Sequence, residues 1–257
     1  MTPVMQPVSY LLDNGVAWLT IERPEARNAL SKDVRDGLWA GVRRFNRDHD
    51  AQVLVLTGTG DQAFCAGGDL KEMATTGLEV PEPDFLPQFG RNIEVEKPTI
   101  AAVNGVAFAG GFLLAQMCDL VVAADSARFG VTEVKVGRGA PWAVPLPLLV
   151  GVRAAMEILL TGDPIDAARA ERLGFVNRVV PAADLRAEVQ ALAERIADNA
   201  PLSVLAAKKT VRLLAEHPLR EAFGEAERLW EPVYLSQDAK EGPAAFRDKR
   251  APEWKGY

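Results

Sequence analysis

PTIAAVNGVAFAGGFLLAQMCDLVVAA, residues 98–124, is the stretch from which the fold can be read. The β-branched, apolar run 99–103 stops at Asn104-Gly105, and Gly110-Gly111 opens a second apolar run, FLLAQM, long enough for about two helical turns. The order is strand, turn, helix, strand. Glycine in a helix costs roughly 1 kcal/mol relative to alanine, so a glycine pair at a helix start is explained if another group must approach the bare backbone there. A ligand oxygen is the expected group, because the first N–H groups of a helix lack internal acceptors and suit an oxygen that becomes negative during a reaction. A plain tight turn is the alternative reading of the pair.

A second glycine-rich segment, FCAGGDLKEM at 64–73, follows the strand-like VLVLTGTG at 53–60. It too lies where an apolar strand gives way to a helix start, with Gly67 and Gly68 exposing backbone and Asp69 as an N-cap. Two N–H donors can then converge on one point. Around these two segments the chain resembles the crotonase (enoyl-CoA hydratase/isomerase) superfamily. The resemblance is carried in register by RPEARNALS (23–31), AFCAGGDLKEM (63–73), KPTIAAVNGVAFAGG (97–111), MCDLVVAA with ARFGVTEVKVG (117–124 and 127–137), LLTGDPIDAARAERLGFVNRVVP (159–181) and EGPAAFRDKR (241–250). Together these cover almost the whole chain.

The resemblance implies an α/β fold, a crotonase-like spiral of repeated ββα units with a helical C-terminal trimerisation region. Residues 1–200 would form the core with the acyl-CoA site, and residues 201–257 the helical region for oligomerisation and coenzyme A contact. Periodicity alone gives only α/β followed by α. The resemblance also implies an acyl-CoA thioester substrate whose carbonyl oxygen meets the N–H groups of Gly68 and Gly110, with Glu133 as the acid/base. Coenzyme A would be met by Ala26, Arg27 and Ala29 at its adenosine portion and by Ala66, Asp69 and Leu70. Phe246 and Lys249 would reach coenzyme A held mainly by a neighbouring subunit of a homotrimer or homohexamer. No cofactor is implied beyond the coenzyme A that the substrate carries, and no metal. For Arg27 and Lys249 a solvated surface side chain is the alternative reading.

The sequence departs from the family's common form where it matters chemically. The second hydratase carboxylate would fall two residues after Gly111, where this chain has Leu113, and Ala109 replaces the glycine usual before the pair. Adding water across a conjugated double bond is helped by two carboxylates, whereas moving a double bond between β,γ and α,β positions can use one base that takes a proton and returns it nearby. Glu133 alone therefore fits isomerisation better. A hydratase drawing another acid from residues 74–89, a hydrolase or decarboxylase using the same cradle, and a non-catalytic acyl-CoA-binding protein are the alternatives. GRGAPWAV, 137–144, is a further departure, and Arg138 and Trp142 either shape an unusual acyl pocket or, for Trp142, pack in the core.

The remaining features set limits. With 257 residues, 48% of them hydrophobic, the chain can bury a sizeable core. A net charge of -6 argues against nucleic acid or an anionic membrane as general partner, since both ask for a basic face. No secretory signal is apparent, no run is fit to cross a bilayer, and Cys65 and Cys118 lack any metal-ligand spacing, which together point to the cytoplasm. His49 and His217 read as surface residues. Ser31 is expected to cap a helix with the stripe Val34, Leu38, Val42 and Phe45, after a hairpin at Asp13-Asn14-Gly15. Residues 74–89, acidic and proline-rich, read as a mobile cover with Phe85, Leu86 and Phe89 as wall residues or as a plain surface loop. Trp230, Val233 and Tyr234 are apolar groups that one layer of helices would struggle to hide, and a subunit interface is their expected destination.

Overall fold

The computed structural model describes residues 7–76 and 80–257. Its N-terminal hairpin pairs β1 (Val8–Asp13) antiparallel with β2 (Val16–Ile21). Asn14 and Gly15 turn it with φ of 47° and 76°, the positive values that match a two-residue hairpin to strand twist. In α1 (Lys32–Arg47) the Ser31 hydroxyl accepts from the Val34 N–H at 3.5 Å, and Val34, Leu38, Val42 and Phe45 are all buried.

Three successive turns of one pattern follow. The first is β3 (Val53–Gly58), β4 (Ala63–Cys65) and α2 (Leu70–Thr76). The second is β5 (Thr99–Val103), β6 (Val106–Phe108) and α3 (Gly110–Gln116). The third is β7 (Leu120–Ala124), β8 (Arg128–Gly130) and a 3-10 turn, Glu133–Val136, in place of a full helix. In every turn the first strand joins one sheet and the second joins another, so the chain winds as a spiral of ββα units.

The order of the larger sheet is β1-β2-β3-β5-β7-β10, and that of the smaller is β4-β6-β8-β9. Strands β3, β5 and β7 run parallel, as do β4, β6 and β8. Parallel strands covered on both faces read as unbroken apolar runs, which is how β3 and β5 read, and every residue of both is buried. Leu54, Leu56, Ala101, Val103 and Ala123 face the core that also takes Phe112, Phe129 and the α1 stripe. Val53, Val55, Ile100 and Val122 face α7 instead.

After the spiral come α4 (Leu146–Val150), α5 (Val152–Thr161), β9 (Ile165–Asp166), α6 (Ala167–Arg172), β10 (Arg178–Val180) and α7 (Leu185–Ala197). Three longer segments complete the fold: α8 (Pro201–Glu216), α9 (Leu219–Leu235) and α10 (Asp238–Asp248). Lys208 on α8 ties this part to the core. Its Nζ donates to the carbonyls of Val95 and Lys97, each at 2.8 Å, and pairs with Asp119 at 2.7 Å. Trp230 is half-buried, donating from its indole to Thr210 at 2.9 Å, while Tyr234 stands open to solvent.

The cover differs from expectation. Residues 77–79 lie outside the described residues, but 83–93 is packed down rather than loose. The Asn92 amide donates to the carbonyls of Pro83 (2.9 Å) and Leu86 (2.8 Å), the Trp39 indole donates to Asp84 O (2.8 Å), and Leu86 sits in the core. Side-chain donors thus satisfy loop carbonyls that a strand or helix would satisfy with backbone. Among the described residues no helix is long and apolar enough to cross a membrane, and no cluster of His, Cys, Asp or Glu could hold a metal ion.

Candidate active site

The two glycine-bearing bends occupy equivalent places in consecutive turns of the spiral. One follows β4 and the other follows β6, and these strands pair with Ala63 opposite Val106 and Cys65 opposite Ala107. The bends therefore meet. A Cβ added to Gly110 would stand 3.8 Å from Gly67 Cα and 2.5 Å from Leu30 Cδ1. At Gly111 the added atom would lie 2.0 Å from the Cys65 carbonyl oxygen. At Gly111 it is protein backbone that makes the close approach, a correction to the expected ligand oxygen.

Backbone groups around the bends are paired. Leu30 N–H donates to Gly67 O at 2.9 Å, Ala66 N–H to Arg27 O at 3.0 Å, Ala109 N–H to Gly130 O at 2.9 Å and Leu113 N–H to Ala109 O at 3.0 Å. Among the described residues the N–H groups of Gly68 and Gly110 have no acceptor. Leu30, Leu86 and Met73 fence them in, so two donors are left bare beside apolar side chains. Both glycines are half-exposed, so their N–H groups are open to an incoming acceptor. Ala109 presents the Gly110 N–H at φ 52°, ψ −119°, a conformation that favours glycine and strains an alanine by about 1–3 kcal/mol.

Glu133 is placed by the smaller sheet, three residues after Gly130, whose carbonyl accepts from the Ala109 N–H at 2.9 Å. Gly130 is paired with Phe108 at the end of the β6·β8 ladder, and the 3-10 turn then starts on Glu133. The Glu133 side chain is buried, the residue is only 9% exposed, and Oε2 has no hydrogen-bond partner. Burial pushes its carboxyl up to about 6, against the opposing influence of its own backbone N–H and of the Trp142 indole N–H. A carboxyl poised there can both accept and return a proton near neutral pH. Leu113, one turn into α3, is buried and apolar, so this position supplies no carboxylate.

Sequence reasoning missed Gln116 and Asn28, and left Trp142 between pocket and core. Gln116 is buried in α3 and donates from Nε2 to Trp142 O at 3.0 Å while its Oε1 finds no partner; the one signal was a glutamine inside FLLAQM. Trp142 lies with its ring 6.0 Å from that of Phe112, which stacks on Phe175 at 4.6 Å. It is thus packed against the core, in line with the core reading of that residue. Asn28, fully buried with φ 54°, accepts from Arg23 N–H (2.9 Å) and donates to the carbonyls of Thr59 (3.0 Å) and Ala63 (2.7 Å), holding the 23–30 segment against the strand ends.

The other expected residues fall into groups. Ala26, Arg27 and Ala29 line the turn beside the first bend, with the Arg27 side chain exposed and its backbone in the left-handed region at φ 50°. Ala66 and Asp69 flank Gly67-Gly68. The Asp69 carboxylate caps α2 through the N–H groups of Lys71 (3.1 Å) and Glu72 (3.3 Å) and pairs with Arg23 at 3.1 Å, the contact that chiefly holds its carboxyl below the usual range. Leu70 opens α2, and its side chain lies outside the described residues. Phe246 is 88% exposed on α10, and Lys249 closes that helix at φ 54°. Cys65 is buried and its thiol is pushed up to about 12 by desolvation, so it is inert at neutral pH. His49 is exposed and His217 half-exposed.

The enoyl-CoA hydratase/isomerase family profile matches residues 12–257. A probable enoyl-CoA hydratase of Mycobacterium bovis is 40% identical over 245 residues, 94% of this chain and 95% of that protein. An (E)-benzylidenesuccinyl-CoA hydratase of Thauera aromatica is 40% identical over 262 residues, 97% of this chain and 99% of that one. The crystal structure of an enoyl-CoA hydratase from Mycobacterium tuberculosis H37Rv superposes with a TM-score of 0.89 at 37% identity, covering 98% of this chain and all of the other. Likeness of this extent, over the same wound ββα core, places the chain among the enzymes of the enoyl-CoA hydratase/isomerase family, in the crotonase superfamily.

Proposed function

We propose that the enzyme shifts a double bond in an acyl-CoA thioester between the β,γ and α,β positions through an enolate. The observation that carries this reading is the buried Glu133 carboxyl, with its Oε2 unpartnered, together with Leu113 where a second carboxylate would serve hydration; the unpaired N–H groups of Gly68 and Gly110 support it. The thioester oxygen accepts from Gly68 and Gly110. Glu133, ionised, takes a proton from the α carbon of a 3-enoyl-CoA, and the electron pair left behind spreads into the thioester, whose oxygen gains charge against the two donors. Loss of one such donor typically costs about 2.7–4 kcal/mol of barrier. Protonated Glu133 then returns the proton at the γ carbon, giving the conjugated 2-enoyl-CoA with no net change in atoms.

Of the acids that the cover could supply, Glu82 and Asp84 are exposed, and Glu79 lies outside the described residues. Ala26, Arg27, Ala29, Ala66, Asp69 and Leu70 are the residues we assign to coenzyme A, which enters as part of the substrate and with no further cofactor. Residues 1–200 form the catalytic core in this reading. Residues 201–257 join copies into a trimer or a pair of trimers, where the exposed Phe246 and Lys249 serve a neighbour's coenzyme A.

The hydratase names of the relatives favour a second reading, in which water held by Glu133 and backbone adds to a 2-enoyl-CoA. Glu133→Gln assayed with 3-enoyl and 2-enoyl thioesters of several chain lengths tests both. A loss of kcat of about 10²–10⁴-fold is expected, the usual worth of a positioned acid/base. Activity within a few-fold of wild type would remove Glu133 from the mechanism.

A further inference from the structure

Ala109 is where three parts of the site meet. Its N–H donates at 2.9 Å to the carbonyl of Gly130, three residues before Glu133, and its own carbonyl accepts from the Leu113 N–H at 3.0 Å. These bonds fix the peptide that joins Ala109 to Gly110. With the carbonyl of that trans peptide committed to α3, the Gly110 N–H on its other side is turned the opposite way.

The side chain reaches the other bend. A Cβ added to Gly67 would stand 2.8 Å from the Ala109 methyl, 3.0 Å from the Phe108 carbonyl oxygen and 3.5 Å from the Gly110 nitrogen. The methyl thus already fills the space over Gly67, the residue before the second donor, and it limits how closely the two bends approach. At φ 52° and ψ −119° Ala109 lies where glycine rests freely and an L side chain is strained. Strain of this kind persists only where the surrounding structure over-determines it.

We propose that Ala109 is a positioning residue for the two main-chain donors: its methyl, lodged over Gly67, sets the separation of the bends that carry Gly68 and Gly110, and its strained backbone aims the Gly110 N–H. This rests on the assignment of those two N–H groups to the thioester oxygen. The chemistry asks for a fixed pair, because a donor lowers a barrier by standing aligned before the charge develops. Glycine at 109 would take the same angles without strain, yet would leave the bends free to shift into the space of the missing methyl. The oxygen carries its full charge in the enolate and not in the bound thioester, so loosened donors cost the reaction more than they cost binding. The loss therefore falls on kcat rather than on KM.

The experiment compares wild type with Ala109→Gly in two readouts, each taken per folded molecule. One is kcat and KM for conversion of 3-enoyl-CoA. The other is the ultraviolet absorbance of bound 3-oxoacyl-CoA, a thioester that ionises to an enolate and has no double bond to move. Outright removal of one such donor costs about 10²–10³-fold in kcat, so a loosened pair is expected to cost about tenfold, with KM within about threefold and the ratio of bound enolate to bound neutral form down by a similar factor. The melting temperature is expected to hold, since relief of strain offsets the lost methyl and the freer unfolded chain. Unchanged kcat and enolate ratio, or a loss confined to KM, overturn the proposal. A lower melting temperature with kcat per folded molecule intact marks a purely structural residue and overturns it too. The wild-type spectrum separates the two assignments. Enolate held equally by wild type and Ala109→Gly sinks the role of Ala109 alone, whereas a wild type that binds 3-oxoacyl-CoA only in its neutral form sinks the donor assignment and the role of Ala109 with it.

Discussion

Replacing Glu133 with Gln is expected to stabilise the protein while it silences it. The carboxyl titrates at about 6 in the folded chain against an ordinary 4.5, because it is buried. A raised folded-state value means the native protein binds the extra proton between those two pH values, so this group's contribution to stability is fully present below 4.5 and is lost as pH rises through 6. The gap of 1.5 units between the two printed values corresponds to about 2 kcal/mol held against the native state at pH 8, and under about 1 kcal/mol at pH 5. Gln keeps the volume but carries no charge to desolvate. In a chain of this size about 2 kcal/mol corresponds to a rise in melting temperature of roughly 4–8 °C at pH 8. Thermal melts of both proteins at pH 8 and pH 5, with urea titrations as a check, measure it. A variant less stable than wild type, or an advantage equal at the two pH values, would refute the argument from burial.

Three further outcomes follow from the same structure. Leu113→Glu restores a carboxylate at the buried position 113; on the proposed mechanism hydration of a 2-enoyl-CoA should rise at least about tenfold relative to isomerisation, with a stability loss of about 1–3 kcal/mol for a buried polar group, read by product analysis and melting. Lys208→Met removes two bonds to backbone carbonyls and an ion pair, leaving Asp119 with Arg212 and Thr99; a loss of about 3 kcal/mol is expected in urea unfolding. Gly111→Ala sets a methyl 2.0 Å from the Cys65 carbonyl oxygen, where backbone cannot yield, so soluble yield and activity should fall together, while the same change at the solvent-open Gly224 should be harmless.

Much of the spiral could be read in the sequence because buried parallel strands leave a plain trace. The runs at 53–58 and 99–103 are apolar but for Thr57 and Thr99, each ends at glycine or asparagine, and the α1 stripe repeats at helical spacing. The two bends were legible for the same reason: positive φ at Gly67 and the contact of Gly111 with Cys65 O both exclude larger side chains. What was not legible depends on contacts distant in sequence. Nothing local announces that Gln116 will meet the carbonyl of Trp142, or that Asn92 will pull the proline-rich cover onto the core. Asp69 could be read as a cap but not as the partner of Arg23, 46 residues away.

The most direct test of the central claim, that one carboxyl and two main-chain N–H groups work through an enolate, is the partition of products. Wild-type enzyme is given a 3-enoyl-CoA and, separately, the matching 2-enoyl-CoA, and kcat/KM is taken for each product by chromatography and mass spectrometry. The account predicts conversion of the 3-enoyl thioester to its conjugated isomer faster than any hydration of the 2-enoyl thioester. Formation of 3-hydroxyacyl-CoA alone, with the 3-enoyl substrate untouched, would contradict it.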